Sequence, residues 1–215
     1  DVILSNRGRN GEGRVKKRNL EKKMCDLLTE LNLSDPDRVL NSYPIQLSGG
    51  MRQRVLIAMA IVNNPELLIA DEIGTALDVT VQAQVIRMVS DLVRRHGMAS
   101  VVISHNLGVI NTMCETIYVM YAGQVVEKAE SQELFRRPLH PYTQALIASL
   151  PTLAGKGLSK GIPGRIPDYH NPPTGCRFHP RCELSEVACK EVPSSQKVNE
   201  HVYRCIHGPE KLDRF

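Results

Sequence analysis

The sequence predicts an α/β fold with parallel strands, followed by a small cysteine-bearing extension. Three observations predict it. Helical periodicity alternates with short unbroken apolar runs, two of those runs end in acidic residues or histidine, and the last forty residues hold four of the six cysteines. With 215 residues, 42% apolar and 23% charged, the chain has the composition of a globular protein and the length to bury a core without disulfides or metals. No apolar run approaches the roughly 18 residues of a membrane-spanning helix, and the start carries no signal-peptide pattern.

The elements follow in order. Leu20, Met24, Leu27, Leu28 and Leu31 share one face of a helix predicted over about 13–33. Ser34-Asp35-Pro36 stops it and opens a short helix over about 36–41, with Pro at a first-turn position. Tyr43-Pro44 is extended, and Ser48-Gly49-Gly50 then leads a helix over about 51–63 that is apolar on most faces and so expected to be buried. Leu67–Ala70 reads as a strand covered on both faces, ending in Asp71-Glu72. A helix over about 79–96 stops at Gly97, and a second covered strand, Ser100–Ile103, ends in Ser104-His105. A short helix over about 107–114 leads to the strand Thr116–Tyr121, which Gly123 turns into a hairpin with Gln124–Glu127. Helices are expected at Ser131–Arg137 and Pro141–Leu150. Residues 151–175, with five Gly and five Pro, read as a linker or wrapped loop.

Charge is unevenly spread. Residues 1–24 carry eight Lys/Arg against three Asp/Glu, whereas the remainder carries nineteen against twenty. The basic head has no Phe, Tyr or Trp to stack on bases, so a solvated helix face is favoured over a nucleic-acid arm.

Ser48-Gly49-Gly50 before a helix suits a phosphate: the glycines admit an anion to the backbone, the hydroxyl donates, and the helix start supplies free N–H groups. The same triplet also serves as a plain cap. Asp71 and Glu72 at the carboxyl end of a strand suit Mg²⁺ binding and activation of an attacking water, because consecutive side chains point different ways. A solvated acidic pair is the plainer alternative. His105 ends a neighbouring strand, within reach of a terminal phosphate in the same site.

Taken together, Leu47–Arg54 (LSGGMRQR), 67–72 (LLIADE), 75–78 (TALD) and 102–105 (VISH) resemble the second half of an ABC-type ATPase, with Ser48 preceding Asp71 by 23 residues and Glu72 preceding His105 by 33. Residues 43–54 (YPIQLSGGMRQR), 118–127 (YVMYAGQVVE), 139–151 (LHPYTQALIASLP) and 171–182 (NPPTGCRFHPRC) further resemble the ATP-binding subunits of bacterial and archaeal oligopeptide, dipeptide and nickel importers. The resemblance implies a partial P-loop NTPase core: a helical subdomain with the signature motif over 1–64, the second half of the ATPase core over 65–130, and a Cys-rich C-terminal extension over 131–215. It assigns Glu72 as general base, Asp71 as Mg²⁺ carboxylate, His105 to the γ-phosphate, Asp78 to a dimer-interface loop, and Ser48, Gly49 and Gly50 to a loop closing on ATP held by a partner subunit. The partners it implies are a second ATPase subunit, two membrane permease subunits and an external substrate-binding protein, with the chain peripheral on the cytoplasmic face of the plasma membrane. A nucleic-acid-associated ABC ATPase, of the DNA-repair or ribosome-binding kind, is the rival; an inactive truncated product is a third reading.

Several positions depart from the pattern. Ile73-Gly74 stand where the family has Pro-Thr, and Asn106 where it has Asp. No G-x-x-x-x-G-K-[ST] occurs, and Gly8–Gly13 (GRNGEG) does not supply one. With the missing initial Met, this suggests a family member without its N-terminal part, and negligible ATP affinity for the chain alone.

Cys176, Cys182, Cys189 and Cys205 are separated by 5, 6 and 15 residues, which matches neither zinc-ribbon nor common ferredoxin spacing. Their chemistry allows two disulfides, a four-thiolate metal site or free thiols. The importer resemblance implies a four-iron four-sulfur cluster on all four; zinc is the alternative on ligand chemistry, and the nearby His170, His179, His201 and His207 leave mixed zinc ligation open. Cys25 and Cys114 read as packing residues.

Overall fold

The computed structural model describes residues 13–74, 78–150 and 161–212; residues 1–12, 151–160, 213–215 and the first three of TALD lie outside, and with them half of the basic head and the first ten residues of the linker. The chain divides into two compact units, one running to Met113 and the other beginning at Cys114.

In the first unit, α1 (Gly13–Glu30), α2 (Pro36–Leu40), α3 (Gly49–Ile61), α4 (Val79–His96) and α5 (Leu107–Met113) accompany a parallel pair, β1 (Leu67–Asp71) and β2 (Ala99–Ile103). The α1 stripe behaves as its period predicts, with Met24, Leu27, Leu28 and Leu31 buried against Ile57, Ala58 and Ile61 of α3 and Val85, Met88, Val89 and Leu92 of α4. Asp35 caps α2 through Arg38 N–H (3.2 Å), with Pro36 at its first turn. Tyr43 is extended as expected, but Pro44–Gln46 closes into one 3₁₀ turn, held by Tyr43 N–H donating to the Gln46 side chain (2.7 Å).

Two burial expectations fail here. Only Ile57, Ala58 and Ile61 of α3 are buried, and Leu56 is 58% exposed. The strands were expected to be covered on both faces, yet only one is: Ala70 is buried and Leu68 packs on the helical core, while Leu67, Ile69, Val101 and Ile103 are all about half exposed or more. The period-2 pleat puts those four on the opposite face, away from the helices.

In the second unit, β3 (Thr116–Tyr121) and β4 (Gln124–Glu130) form the expected hairpin, followed by α6 (Ser131–Arg136) and α7 (Pro141–Ala148). Ile117, Val119 and Tyr121 are buried and their neighbours exposed, the alternation of a one-sided antiparallel strand. The tail adds β5 (Gln196–Val198), β6 (His201–Tyr203) and α8 (Pro209–Leu212), and the sheet runs β3-β4-β6-β5, all antiparallel. The expected Cys-rich C-terminal extension over 131–215 is therefore corrected: it is not an addition beyond the hairpin. Glu127 and Lys128 of β4 pair with Tyr203 and Val202 of β6, so the tail completes the hairpin's sheet.

Candidate functional site

The first group of expected site residues gathers at two helix starts. Ser48 is extended (φ −63°, ψ 163°) and its Oγ accepts from Met51 N–H (3.3 Å), which opens α3 at Gly49-Gly50. Asp78 does the same for α4, accepting from Val81 N–H (2.9 Å). A Cβ on Gly50 would stand 3.3 Å from Val81 Cγ1, so the bare glycine lets the first turn of α4 approach the signature loop. One pocket is lined by Ser48, Gly49, Gly50, Met51, Arg54, Asp78 and Val81. Two helix N-termini and a guanidinium there favour an anion. Arg54 also donates to the Leu31 and Asn32 carbonyls (3.2 and 3.0 Å), which fixes the end of α1 beside α3.

The second group sits at the carboxyl ends of β1 and β2. Glu72 has φ +51°, a left-handed conformation uncommon outside Gly and Asn. Its N–H donates to Ile103 O (2.9 Å), which turns its carboxylate toward β2. There it accepts from His105 N–H (3.2 Å) and meets His105 Nδ1 at 2.9 Å. Glu72 and His105, 33 residues apart in sequence, are thus in direct contact. Asp71 ends β1 paired with Ile103 and is exposed. These three residues do not line the pocket at Ser48, so the expected set falls into two separate groups.

The departures from the family pattern are accommodated. Ile73 packs against the helical core, and Gly74 has φ +90°, where a Cβ would stand 2.9 Å from Gln82 Cγ. Asn106 accepts from Gly108 N–H (3.0 Å), and its own N–H donates to Ser104 Oγ (3.1 Å). The turn into α5 therefore keeps its acceptor without the negative charge of Asp.

In the second unit Cys176, Cys182, Cys189 and Cys205 line one small cavity with His140, Phe178, His179 and His207. All four are free thiols, so the disulfide alternative has no support. Gly175 (φ +71°) makes their approach possible: a Cβ there would overlap the Cys189 carbonyl oxygen, to which Cys176 N–H donates (2.9 Å). Burial pushes Cys176 and Cys205 upward and Cys182 up to about 11, whereas backbone N–H groups pull in the opposite direction. Those donors are Phe178 and His179 toward Cys176, Leu184 toward Cys182, and Ile206 and His207 toward Cys205; Glu186 N–H reaches Cys189 Sγ at 3.4 Å.

The expected iron–sulfur or zinc centre is not established by this arrangement. Among the described residues no three His, Cys, Asp or Glu side chains stand close enough to hold a metal ion. The donor chemistry nevertheless suits a soft metal, since four sulfurs share one cavity and each has a backbone donor. The histidines divide. His179 and His207 reach the cavity, while His170 is exposed beside Asp168 and His201 is committed to Glu127.

Sequence reasoning missed Glu127. Its carboxylate is buried (1% exposed) and accepts from Leu139 N–H (2.6 Å), His140 N–H (3.0 Å) and His201 Nε2–H (2.6 Å). His140 Nδ1 in turn accepts from Tyr142 N–H (3.1 Å) and caps α7, and burial lowers its pKa to about 4. Gln144 Nε2 donates to Pro138 O (2.9 Å) and Leu212 O (2.6 Å). The HPYT segment is thus a structural clamp on the sheet. Nothing in the spacing of QVVEKAE distinguishes Glu127 from a solvated strand glutamate.

Signature loop, acidic strand end and paired histidine on this α/β framework define an ABC-type ATP-binding fold. Matches to known proteins agree. An ABC transporter family model matches residues 2–75, and a model of the oligopeptide/dipeptide transporter C-terminal region matches residues 126–189. The chain belongs to the ABC transporter family, in the branch that carries this C-terminal region. It is 43% identical over 200 residues to a dipeptide transport ATP-binding protein of Haemophilus influenzae, covering 92% of this chain and 60% of that one. It is 44% identical over 176 residues to an oligopeptide transport ATP-binding protein of Bacillus subtilis, covering 81% and 54%. The chain spans little more than half the length of these relatives. For the fold, it is similar to the CbiO1 component of an ABC transporter complex from Clostridium perfringens (TM-score 0.51, 22% identity, 63% of this chain and 51% of that one). The nucleic-acid reading finds no support in these relatives.

Proposed function

We propose that this chain is part of an ATP-hydrolysing subunit of an ABC importer for oligopeptides or dipeptides, with nickel as a further cargo class. The observation that carries the proposal is the Glu72–His105 contact at the strand ends. In this reading Glu72 takes the proton of the attacking water, and His105 holds that carboxylate and faces the γ-phosphate. Asp71 holds Mg²⁺. Ser48, Gly49 and Gly50 present the start of α3 to ATP bound by a second subunit, and Asp78 lies at the interface between the two. That the signature pocket and the Glu72–His105 pair are separate supports this division of labour across a dimer.

Two permease subunits and an external binding protein complete the assembly, with the ATPase peripheral to the cytoplasmic face of the membrane. Among the described residues no helix is long and apolar enough to cross a membrane. The test is Glu72→Gln in the assembled transporter. General-base help is worth about 10²–10⁴ in rate, so ATP should be retained and hydrolysis should fall by that factor. Undiminished hydrolysis would overturn the assignment.

We propose further that Cys176, Cys182, Cys189 and Cys205 hold a soft metal centre, iron–sulfur before zinc. Their shared cavity and backbone donors support it, although the sulfurs must draw together to bind. Such a centre would supply a cross-link between the tail turns. Brown protein with visible charge-transfer absorbance after anaerobic purification supports iron–sulfur, and colourless protein with stoichiometric zinc supports the alternative.

A further inference from the structure

We infer that Arg54 is a positioning residue of the signature pocket, anchored on the end of α1 and lending its charge to the phosphate that the pocket meets. The inference rests on the reading of Ser48–Gly50 as the loop presented to a partner's ATP. Arg54 follows Gly50 by four residues and Met51 by three, so one face of α3 brings all three to the pocket. It stands there with the free amides of the helix start and with Asp78 and Val81 at the start of α4.

The guanidinium is tied to the end of another helix. α1 stops where Asn32 turns left-handed (φ +57°), with Asn32 N–H donating to Thr29 O and Leu33 N–H to Leu28 O, both at 2.9 Å. No further helical turn donates to the carbonyls of Leu31 and Asn32, and Arg54 Nη1 donates to both, at 3.2 and 3.0 Å. A cation there also meets the negative end of the α1 dipole. The first turn of α3 lies against Val81 of α4, so the pocket-facing part of α3 is held once by that contact and once by Arg54. The bonds of Arg54 go to neutral carbonyls, and its Nε is buried with no partner among the described residues. Asp78 lines the same pocket but is committed to Val81 N–H, and among the described residues no carboxylate pairs with Arg54. An arginine that only braces a fold is ordinarily paired with an acid when it leaves water, because an unpaired charge is costly there. Arg54 is half-buried and its charge is unspent, and an arriving terminal phosphate supplies the missing anion.

The experiment measures ADP binding and ATP turnover in the assembled transporter with Arg54→Met, Arg54→Lys or Arg54→Gln. ADP lacks the terminal phosphate, so its affinity and stoichiometry report whether the subunit has folded. Arg54→Met removes the charge and the donors, and should lower kcat about 10²-fold with ADP binding unchanged. Arg54→Lys restores the charge and a donor without the planar fork, and should bring kcat back to within about tenfold of the original. Arg54→Gln keeps a donor without the charge, and should stay about tenfold below the Lys variant. An unchanged kcat in the Met variant, or equal turnover by the Lys and Gln variants, overturns the inference. If the Met variant loses ADP binding and so has not folded, the Lys and Gln variants decide: Lys above Gln supports the inference, and equality overturns it. Glu72→Gln is measured alongside. Undiminished hydrolysis in that variant defeats the reading of the site and the inference with it. Lost hydrolysis there, with Arg54→Met unaffected, defeats the inference alone.

Discussion

The two units use polar groups in opposite ways. The first keeps its chemistry at the surface: Glu72 and His105 side chains are 39% and 75% exposed, and Ser48 and Asp78 sit at helix starts facing a pocket. The second hides its polar groups, with Glu127, His140 and His201 at 1%, 1% and 5% exposure and bonded to backbone and to each other. A carboxylate at the surface lies within reach of a ligand. A carboxylate surrounded by three donors is architecture, because any exchange leaves buried groups unpaired.

Substitution should expose that contrast most sharply. Glu127→Ala strands two backbone N–H groups and His201, and should cost about 3–5 kcal/mol in urea unfolding, whereas Glu72→Gln should change stability by less than about 1 kcal/mol. Equal losses would erase the distinction. Acid separates the units next. His140 is neutral when folded down to about pH 4, but its ordinary pKa is 6.5, so the unfolded chain takes up the proton first. Stability from this group is complete above pH 6.5 and is lost as pH falls toward 4. The loss should reach up to about 3 kcal/mol, read as a lower denaturation midpoint. His140→Gln should flatten that dependence.

Smaller effects test local geometry. Gly175→Ala meets both a left-handed φ and the Cys189 carbonyl, and should cost about 2 kcal/mol by thermal unfolding, with the thiols becoming faster to alkylate. Asp78→Ala removes only the cap on Val81 N–H, and should cost about 1 kcal/mol with the fold intact by circular dichroism.

What the sequence disclosed follows the same line. Periodicity located α1, α4, β1, β2 and the β3–β4 hairpin to within a few residues, because each has enough turns or alternations to show a period. The three-residue strands β5 and β6 have no such signal and form through pairing with β4. Among the described residues β1 and β2 have helices packed on one face only, which an apolar run by itself does not disclose. Ser48, Asp78, Glu72 and His105 were legible since cap and strand-end chemistry is written in local order. Glu127 was not, because its partner His201 lies 74 residues away. The contact of Glu72 with His105 needed the strands to be set in register, which places Asp71 opposite Ile103.

The pairing of β4 with β6 also bears on inheritance. A recombination junction placed between Glu127 and His201 would draw a buried anion from one parent and one of its donors from the other, and a parent that lacks either partner would leave the other buried and unpaired. The hairpin and the tail should therefore be exchanged between genes only as one block. In chimaeras, productive crossovers are expected before the hairpin and not inside the loop that follows it.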